Sequence, residues 1–121
     1  METDLQDGGR KALSRPAYLC RVDEIADPGS KGFEKIGDEA PFFVVRRGDE
    51  IYAYRNSCPH YGVPLDWKPD AFLSYDRKFI LCSMHAALFA IEDGKCMDGP
   101  CPGEFLEKVN INIENGIIYR V

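Results

Sequence analysis

Two short segments, each with one cysteine and one histidine, constrain the fold of this chain more than any other feature. The first is SCPHYGVPL, which contains Cys58 and His60, and the second is LCSMHAALF, which contains Cys82 and His85. The sequence has no other histidine. For this composition, a chance placement of both histidines in such an arrangement has a probability on the order of one in several hundred. The spacing therefore predicts two loops that direct four metal-binding side chains toward one centre.

The segments around these loops are typical of short β-strands. Runs rich in β-branched and aromatic residues occur at residues 17–22, 41–47, 50–56, 78–82 and 87–91. No helical pattern of useful length competes with them. The sequence therefore predicts an all-β fold, a small antiparallel barrel or sandwich in which the two loops form a metal-binding subdomain.

Turn signals and one alternating pattern support this interpretation. Gly48-Asp49 separates two of the runs, and Asn115-Gly116 lies between two further apolar segments. Asn-Gly favours the left-handed dihedral angles of a type I′ hairpin turn. Apolar residues alternate with asparagines over residues 109–113, which is the period of a half-buried strand. We expect the C-terminal residues to form a hairpin.

The length of 121 residues leaves room for one hydrophobic core. Residues 1–16 are polar and have no hydrophobic period, so we expect a flexible tail followed by one domain at residues 17–121. No apolar run approaches the roughly 20 residues of a membrane span, and the first residues lack the apolar region of a secretion signal. We therefore expect a soluble cytoplasmic protein that does not bind membranes.

The net charge of −5 argues against nucleic acid as a partner, because binding to phosphates requires clustered lysine and arginine. The chain has five cysteines. In the reducing cytosol, cysteines serve more often as thiols or metal ligands than as disulfides. The five cysteines therefore also indicate a metal centre.

Two cysteines and two histidines can hold either a tetrahedral zinc ion or a [2Fe-2S] cluster in which histidines replace the cysteines on one iron. A standard zinc finger groups like ligands together, as C-x2-4-C and H-x3-5-H. Here each segment supplies one ligand of each type. This mixed arrangement favours a cluster with two different irons, and zinc is the alternative.

The sequence resembles the Rieske family in these same segments. CPHYGVPL is similar to its first cluster loop, C-x-H-x-G-x-x-L, and CSMHAALF to its second, C-x-x-H-x-x-x-F. The segment DGKCMDGP, which follows, resembles the Asp-Gly turn and proline loop of the family. The resemblance covers residues 17–121. The resemblance implies one [2Fe-2S] cluster, with Cys58 and Cys82 on the buried iron and His60 and His85 on the outer iron.

Several positions depart from the family pattern. Ala86 stands where a glycine usually follows the second histidine. High-potential members have an extra cysteine in each loop, but this chain has Val63 and Met84 there. Those members also have a serine and a tyrosine that donate to sulfur, where this chain has Ala87 and Phe89. Losing two donors lowers the potential, so we predict a value in the lower half of the Rieske range of roughly −150 to +300 mV.

The resemblance implies an electron carrier, a Rieske-type ferredoxin, rather than an enzyme. Its expected partners are a flavin reductase as electron donor and an oxygenase as electron acceptor, and no small-molecule substrate of its own is expected. One alternative is the small subunit of a nitrite reductase-type complex, which shares the fold. Another is a zinc-stabilised interaction module.

Two further groups of residues have alternative interpretations. Cys96 and Cys101 are either reduced structural thiols or a disulfide beside the cluster. Four aspartates form either a docking face or solvated loops; they are Asp66, Asp70, Asp93 and Asp98.

Overall fold

The computed structural model describes residues 17–34, 40–59, 64–66, 68–83, 86–99 and 103–121. Within these ranges the chain forms nine β-strands, one short 3₁₀ helix and no α-helix. None of the described residues belongs to a helix long and apolar enough to cross a membrane. The elements are β1 (Ala17–Arg21), the 3₁₀ helix (Val22–Glu24), β2 (Gly29–Phe33), β3 (Phe42–Arg47), β4 (Glu50–Arg55), β5 (Phe79–Cys82), β6 (Ala87–Ala90), β7 (Cys96–Asp98), β8 (Ile111–Glu114) and β9 (Ile117–Arg120).

All nine strands pair antiparallel, in three sheets of three strands each. The prediction of an all-β fold is confirmed. The described residues divide into two units, one that contains β1, β8 and β9 and one that spans residues 25–109. Residues 1–16, the predicted tail, lie outside the described residues.

The first unit is the sheet with strand order β1-β9-β8. Asn115 and Gly116 connect β8 to β9 with φ angles of 53° and 75°. Positive φ at both central residues is the type I′ geometry that the sequence predicts. Ile118 pairs with Cys20 and both are buried. The alternating pattern predicts that Ile113 lies on the buried face of a half-buried strand, but its side chain is 40% exposed.

The second unit contains the sheets β2-β3-β4 and β5-β6-β7. The β3–β4 hairpin turns at Gly48, whose φ of 65° confirms the predicted turn. Residues 42–45 are all fully buried, so β3 is covered on both faces. The end of β4 leads directly into the segment with Cys58, and β5 ends at Cys82. The two predicted cysteine ligands therefore follow strands of the same unit.

One cluster of buried side chains forms the core of this second unit. Phe43 and Phe72 stack at its centre with ring centroids 4.2 Å apart and planes 5° apart. The same cluster includes Cys58, Cys82 and Leu65. Because the thiols belong to the core itself, the metal-binding segments are anchored to the most buried part of the unit.

Two strands, β2 and β7, were not predicted. The β2 sequence GSKGF has no strand-like alternation, and it forms a strand because it pairs along β3 from Gly29–Arg46 to Phe33–Phe42. Phe33 stacks on Phe42 with ring centroids 5.2 Å apart. The short β7 pairs with β6 through an irregular register. In both cases the neighbouring strand, rather than the local sequence, determines the conformation.

Candidate metal centre

The two predicted cysteine ligands are both fully buried. Cys58 and Cys82 have no exposed surface and belong to one core cluster. A buried thiolate requires a compensating positive charge, because burial of an unpaired charge costs much free energy. Metal ions supply that charge and select the thiolate form of cysteine. The two cysteines therefore fit a metal centre whose inner side is held by thiolates.

The two predicted histidine ligands, His60 and His85, lie outside the described residues, as do Val63 and Met84. The structure thus describes Pro59 before the first histidine and Ala86 after the second, and not the imidazoles. Within the described ranges, no group of three or more His, Cys, Asp or Glu side chains is arranged to hold a metal ion. Ligation by the histidines stays a prediction.

The side chain of Asn56 closes the first loop, which we define as residues 57–64. Its Oδ1 accepts a hydrogen bond from the Leu65 N–H at 2.7 Å, and its Nδ2 donates to Asp66 Oδ1 at 3.1 Å. Its own N–H donates to the Pro41 carbonyl at 3.1 Å. Sequence reasoning missed this residue. An asparagine at the end of a strand was the available signal, because asparagine side chains commonly bond to nearby backbone in turns.

Backbone pairing closes the second loop, residues 83–86. Cys82 and Ala87 are partners across the β5–β6 hairpin, so the sheet itself holds the two ends together. Ala86 has a φ of 56°, in the left-handed region that favours glycine. This geometry explains why a glycine is usual at this position in the family that the sequence resembles.

Gly99 packs directly against the end of the second loop. Its φ is 118°, and a Cβ at this position would lie 2.7 Å from the Ala87 Cα and 2.9 Å from the Ala87 Cβ. Only glycine fits this contact without a shift of the backbone. Pro100, Cys101 and Pro102, which include the rest of the predicted proline loop, lie outside the described residues.

A direct hydrogen bond links the two loops. The Ser83 N–H donates to the Leu65 carbonyl at 3.0 Å, and the Leu65 side chain is fully buried. Since Ser83 follows Cys82 and Leu65 directly follows the first loop, this bond holds together the two segments that contain the cysteines. The described residues thus place the two segments side by side, and the convergence of all four ligands on one centre stays a prediction.

Apolar side chains and one buried tyrosine surround the loops. Ala87 and Phe89 are fully buried and have no hydroxyl group. The Tyr54 hydroxyl donates to the Ile91 carbonyl at 2.6 Å, just beyond the end of β6. Burial, with a smaller contribution from the Asp93 carboxylate, raises the pKa of Tyr54 above its ordinary value. Tyr54 is therefore a neutral hydrogen-bond donor that supports the hairpin of the second loop.

The four aspartates that were considered as a docking face all accept hydrogen bonds from other residues of the chain. Three of their carboxylates accept hydrogen bonds within the chain, which favours a structural role. The donors are Asn56 Nδ2 to Asp66 (3.1 Å), Gly32 N to Asp70 (2.7 Å) and Lys95 N to Asp93 (2.9 Å). Through its backbone carbonyl, Asp98 accepts a weak hydrogen bond from the buried Cys96 Sγ at 3.6 Å.

Comparison with solved structures places the fold among Rieske-type ferredoxins. The chain is similar to the ferredoxin of carbazole 1,9a-dioxygenase from Nocardioides aromaticivorans IC177, with a TM-score of 0.70, 24% identity, and coverage of 88% of this chain and 97% of that one. The Sphingomonas yanoikuyae B1 ferredoxin gives a TM-score of 0.70 at 21% identity, with coverage of 88% and 97%. A complex of reduced oxygenase and oxidized ferredoxin in carbazole 1,9a-dioxygenase contains a chain with a TM-score of 0.69 at 23% identity, with coverage of 86% and 99%.

None of the curated proteins matches the sequence. The family model described as Rieske [2Fe-2S] domain matches residues 15–112, which is most of the chain and includes both loops. The buried cysteine pair agrees with a cluster of this type, in which cysteines bind one iron and histidines the other. The chain therefore belongs to the Rieske [2Fe-2S] domain family, which confirms the predicted resemblance and the predicted cofactor, one [2Fe-2S] cluster.

Proposed function

We propose that this protein is a one-electron carrier, a Rieske-type ferredoxin with no substrate chemistry of its own. The proposed ligands of its single cluster are Cys58, His60, Cys82 and His85. The observation that carries this proposal is the pair of fully buried cysteines, whose chain segments are joined by the Ser83–Leu65 hydrogen bond, within a chain of this family. When bound, the cluster supplies a redox couple that takes up and releases one electron.

The described residues have separate tasks in this function. Cys58 and Cys82 hold the inner side of the cluster within the core, where water is excluded. Leu65 and Phe89, both fully buried, complete the apolar surroundings. Asn56 closes the first loop, as described above. Buried, hydrogen-bonded surroundings suit electron transfer, since ligands that stay in place need little rearrangement when the charge changes.

We further propose that the reduction potential is low for a Rieske centre. A hydroxyl that donates to a cluster sulfur stabilises the added negative charge of the reduced state. Ala87 and Phe89 are buried and cannot donate such a bond. Their side chains support a potential in the lower half of the range of roughly −150 to +300 mV, as the sequence predicts.

The proposed electron donor is a flavin reductase and the proposed acceptor is an oxygenase, with the cytoplasm as the proposed compartment. The acceptor is supported by the ferredoxins of similar fold, of which one occurs in a complex with an oxygenase. The net charge of −5 suits docking to basic patches on protein partners.

The proposed function is tested on protein purified without oxygen, from its iron and acid-labile sulfide content and its low-temperature EPR spectrum after dithionite reduction. We expect two irons and two sulfides per chain and a rhombic signal of low average g. Cys58→Ala and Cys82→Ala should abolish both, whereas Cys20→Ala removes a buried thiol outside the loops and should retain them. Colourless protein with stoichiometric zinc would contradict the electron carrier and support the interaction module.

A further inference from the structure

Asn56 lies where three segments of the chain meet, since its own N–H also donates to the Pro41 carbonyl at 3.1 Å. It follows the end of β4, its amide oxygen holds the Leu65 N–H, and its amide nitrogen holds the Asp66 carboxylate. Asn56 and Asp66 are half-buried, so these bonds are partly shielded from water. A hydrogen bond to a charged carboxylate is stronger than one between neutral groups. The base of the first loop is thus held by one side chain with two bonds.

These contacts continue into the second loop. The Leu65 N–H donates to Asn56 Oδ1, and the Leu65 carbonyl accepts from the Ser83 N–H. Asn56 lies two residues before Cys58, and Ser83 follows Cys82 directly. Two hydrogen bonds, of 2.7 and 3.0 Å, therefore connect the backbone near one cysteine to the backbone near the other.

We propose that Asn56 is a positioning residue for the cluster, which sets the separation of Cys58 and Cys82 through Leu65 and Ser83. This inference rests on the proposed ligation by the two cysteines. Metal–ligand distances lie within narrow ranges, so a movement of one loop relative to the other should weaken binding. Asn56 does not touch the cluster in this proposal and acts only through the backbone.

The hydrogen bonds of Asn56 with Leu65 and Asp66 require an amide at residue 56. The side chain must accept from a backbone N–H and donate to a carboxylate at the same time, and asparagine does both. An aspartate at this position would keep the acceptor but place a second carboxylate against Asp66. Exchange of the two side chains restores one donor and one acceptor with the same total charge. This exchange is a sharp test of the mechanism.

The experiment compares wild-type holoprotein with N56A, N56D and the exchanged double variant N56D/D66N. The readouts are the rate of iron release to a chelator, the EPR g values and the reduction potential, with far-UV circular dichroism and melting temperature as folding controls. The control variant D70A removes a carboxylate that binds Gly32 and does not contact Asn56. It should lower the melting temperature without changing the cluster.

We expect iron release from N56A and N56D to be about tenfold faster than from the wild type, since each loses a hydrogen bond to a charged group. Their EPR g values should also shift. N56D/D66N should return to within about twofold of the wild-type rate, because the bonding pattern is rebuilt at equal charge. D70A should remain at the wild-type rate and g values.

Wild-type release rates and g values in folded N56A would overturn the positioning role. A double variant as labile as N56D would equally overturn it, because the rebuilt bonds would have had no effect. A shift in melting temperature alone, equal to that of D70A, would assign Asn56 to general stability and contradict the proposal. Wild-type protein without iron and sulfide would instead contradict the proposed function, so the two failures are distinguishable.

Discussion

The first loop contains a predicted cysteine and histidine, and the second loop contains a predicted histidine and begins directly after Cys82, but the two loops are closed in different ways. The first, residues 57–64, is held by the amide of Asn56, and the described residues at its base form no strand pairing with each other. The second, residues 83–86, connects two paired strands, and the partners Cys82 and Ala87 close it through the sheet. Among its described residues, Ala86 has a φ of 56°, in the left-handed region.

This difference shows how loop length determines the type of constraint. A long loop leaves many backbone conformations open, so a side chain has to hold its ends in place. A short hairpin loop inherits its end separation from the strands, so only its backbone angles must be right. We therefore expect the first loop to be sensitive to side-chain substitution at Asn56 and the second to backbone substitutions around Ala86 and Gly99.

The largest effect on the second loop is expected from Gly99→Ala. The new Cβ would lie 2.7 Å from the Ala87 Cα, and the φ of 118° is itself unfavourable for alanine. We expect a loss of roughly 2–4 kcal/mol in the free energy of unfolding, together with faster loss of the cluster.

Gly103→Ala is the matched control for Gly99→Ala. Gly103 has a φ of 82°, but nothing lies within 4 Å of its ideal Cβ. This variant should lose only about 1 kcal/mol, from the backbone conformation alone. Thermal unfolding of both variants measures the difference, and equal losses would show that the contact with Ala87 has no role.

An intermediate effect is expected from Tyr54→Phe, which removes the support of the β5–β6 hairpin. The variant leaves the Ile91 carbonyl without its donor, which should cost about 1–2 kcal/mol. Tyr75→Phe is the control, because Tyr75 is fully exposed and its change should have an effect below about 0.5 kcal/mol. Thermal unfolding at neutral pH compares the two.

The same variant should show a distinct pH dependence. The folded protein holds the Tyr54 proton more tightly than the unfolded chain, because burial raises its pKa. Stability from this group is therefore complete below about pH 10 and decreases as pH rises above that value, where the unfolded chain ionises first. Tyr54→Phe has no hydroxyl to ionise and lacks this loss. The difference in the free energy of unfolding between the variant and the wild type should therefore become smaller above pH 10. A constant deficit would contradict the assignment.

The smallest effect is expected from Ala86→Gly, which should stabilise the protein. Relief of the left-handed alanine is worth about 1–2 kcal/mol, and the greater freedom of glycine in the unfolded chain offsets about 0.4–1 kcal/mol of it. We expect a net gain of about 0.5–1 kcal/mol, seen as a melting temperature a few degrees higher. The control Ala90→Gly in β6 should instead lower the free energy of unfolding by about 1 kcal/mol. If both glycine variants were less stable than the wild type, Ala86 would not be strained.

The hairpins were predictable because their local signals agree with their surroundings. β3 and β4 follow apolar runs around a glycine turn, and β8 and β9 follow an Asn-Gly pair whose φ angles are both positive. Ile113 is the exception within this hairpin, since alternation predicts which face a residue shares but not whether another element covers that face.

The metal-binding chemistry was also encoded locally. The mixed Cys/His spacing predicted the cofactor before any fold was known, because ligand type and spacing restrict the metal directly. Asn56 and Gly99 could not be found in this way. The partners that explain them are Leu65 and Ala87, which lie 9 and 12 residues away along the chain.

The amino-acid sequence alone therefore established the all-β class, the hairpin turns, the family and the cofactor, since each depends on residues close together in the chain. Three-dimensional packing established strand β2, the burial of Cys58 and Cys82, and the bonds that tie the two loops together. The physical reason is that burial and pairing depend on which distant segments meet. A local pattern specifies what a segment can do, and its neighbours in the fold select among those possibilities.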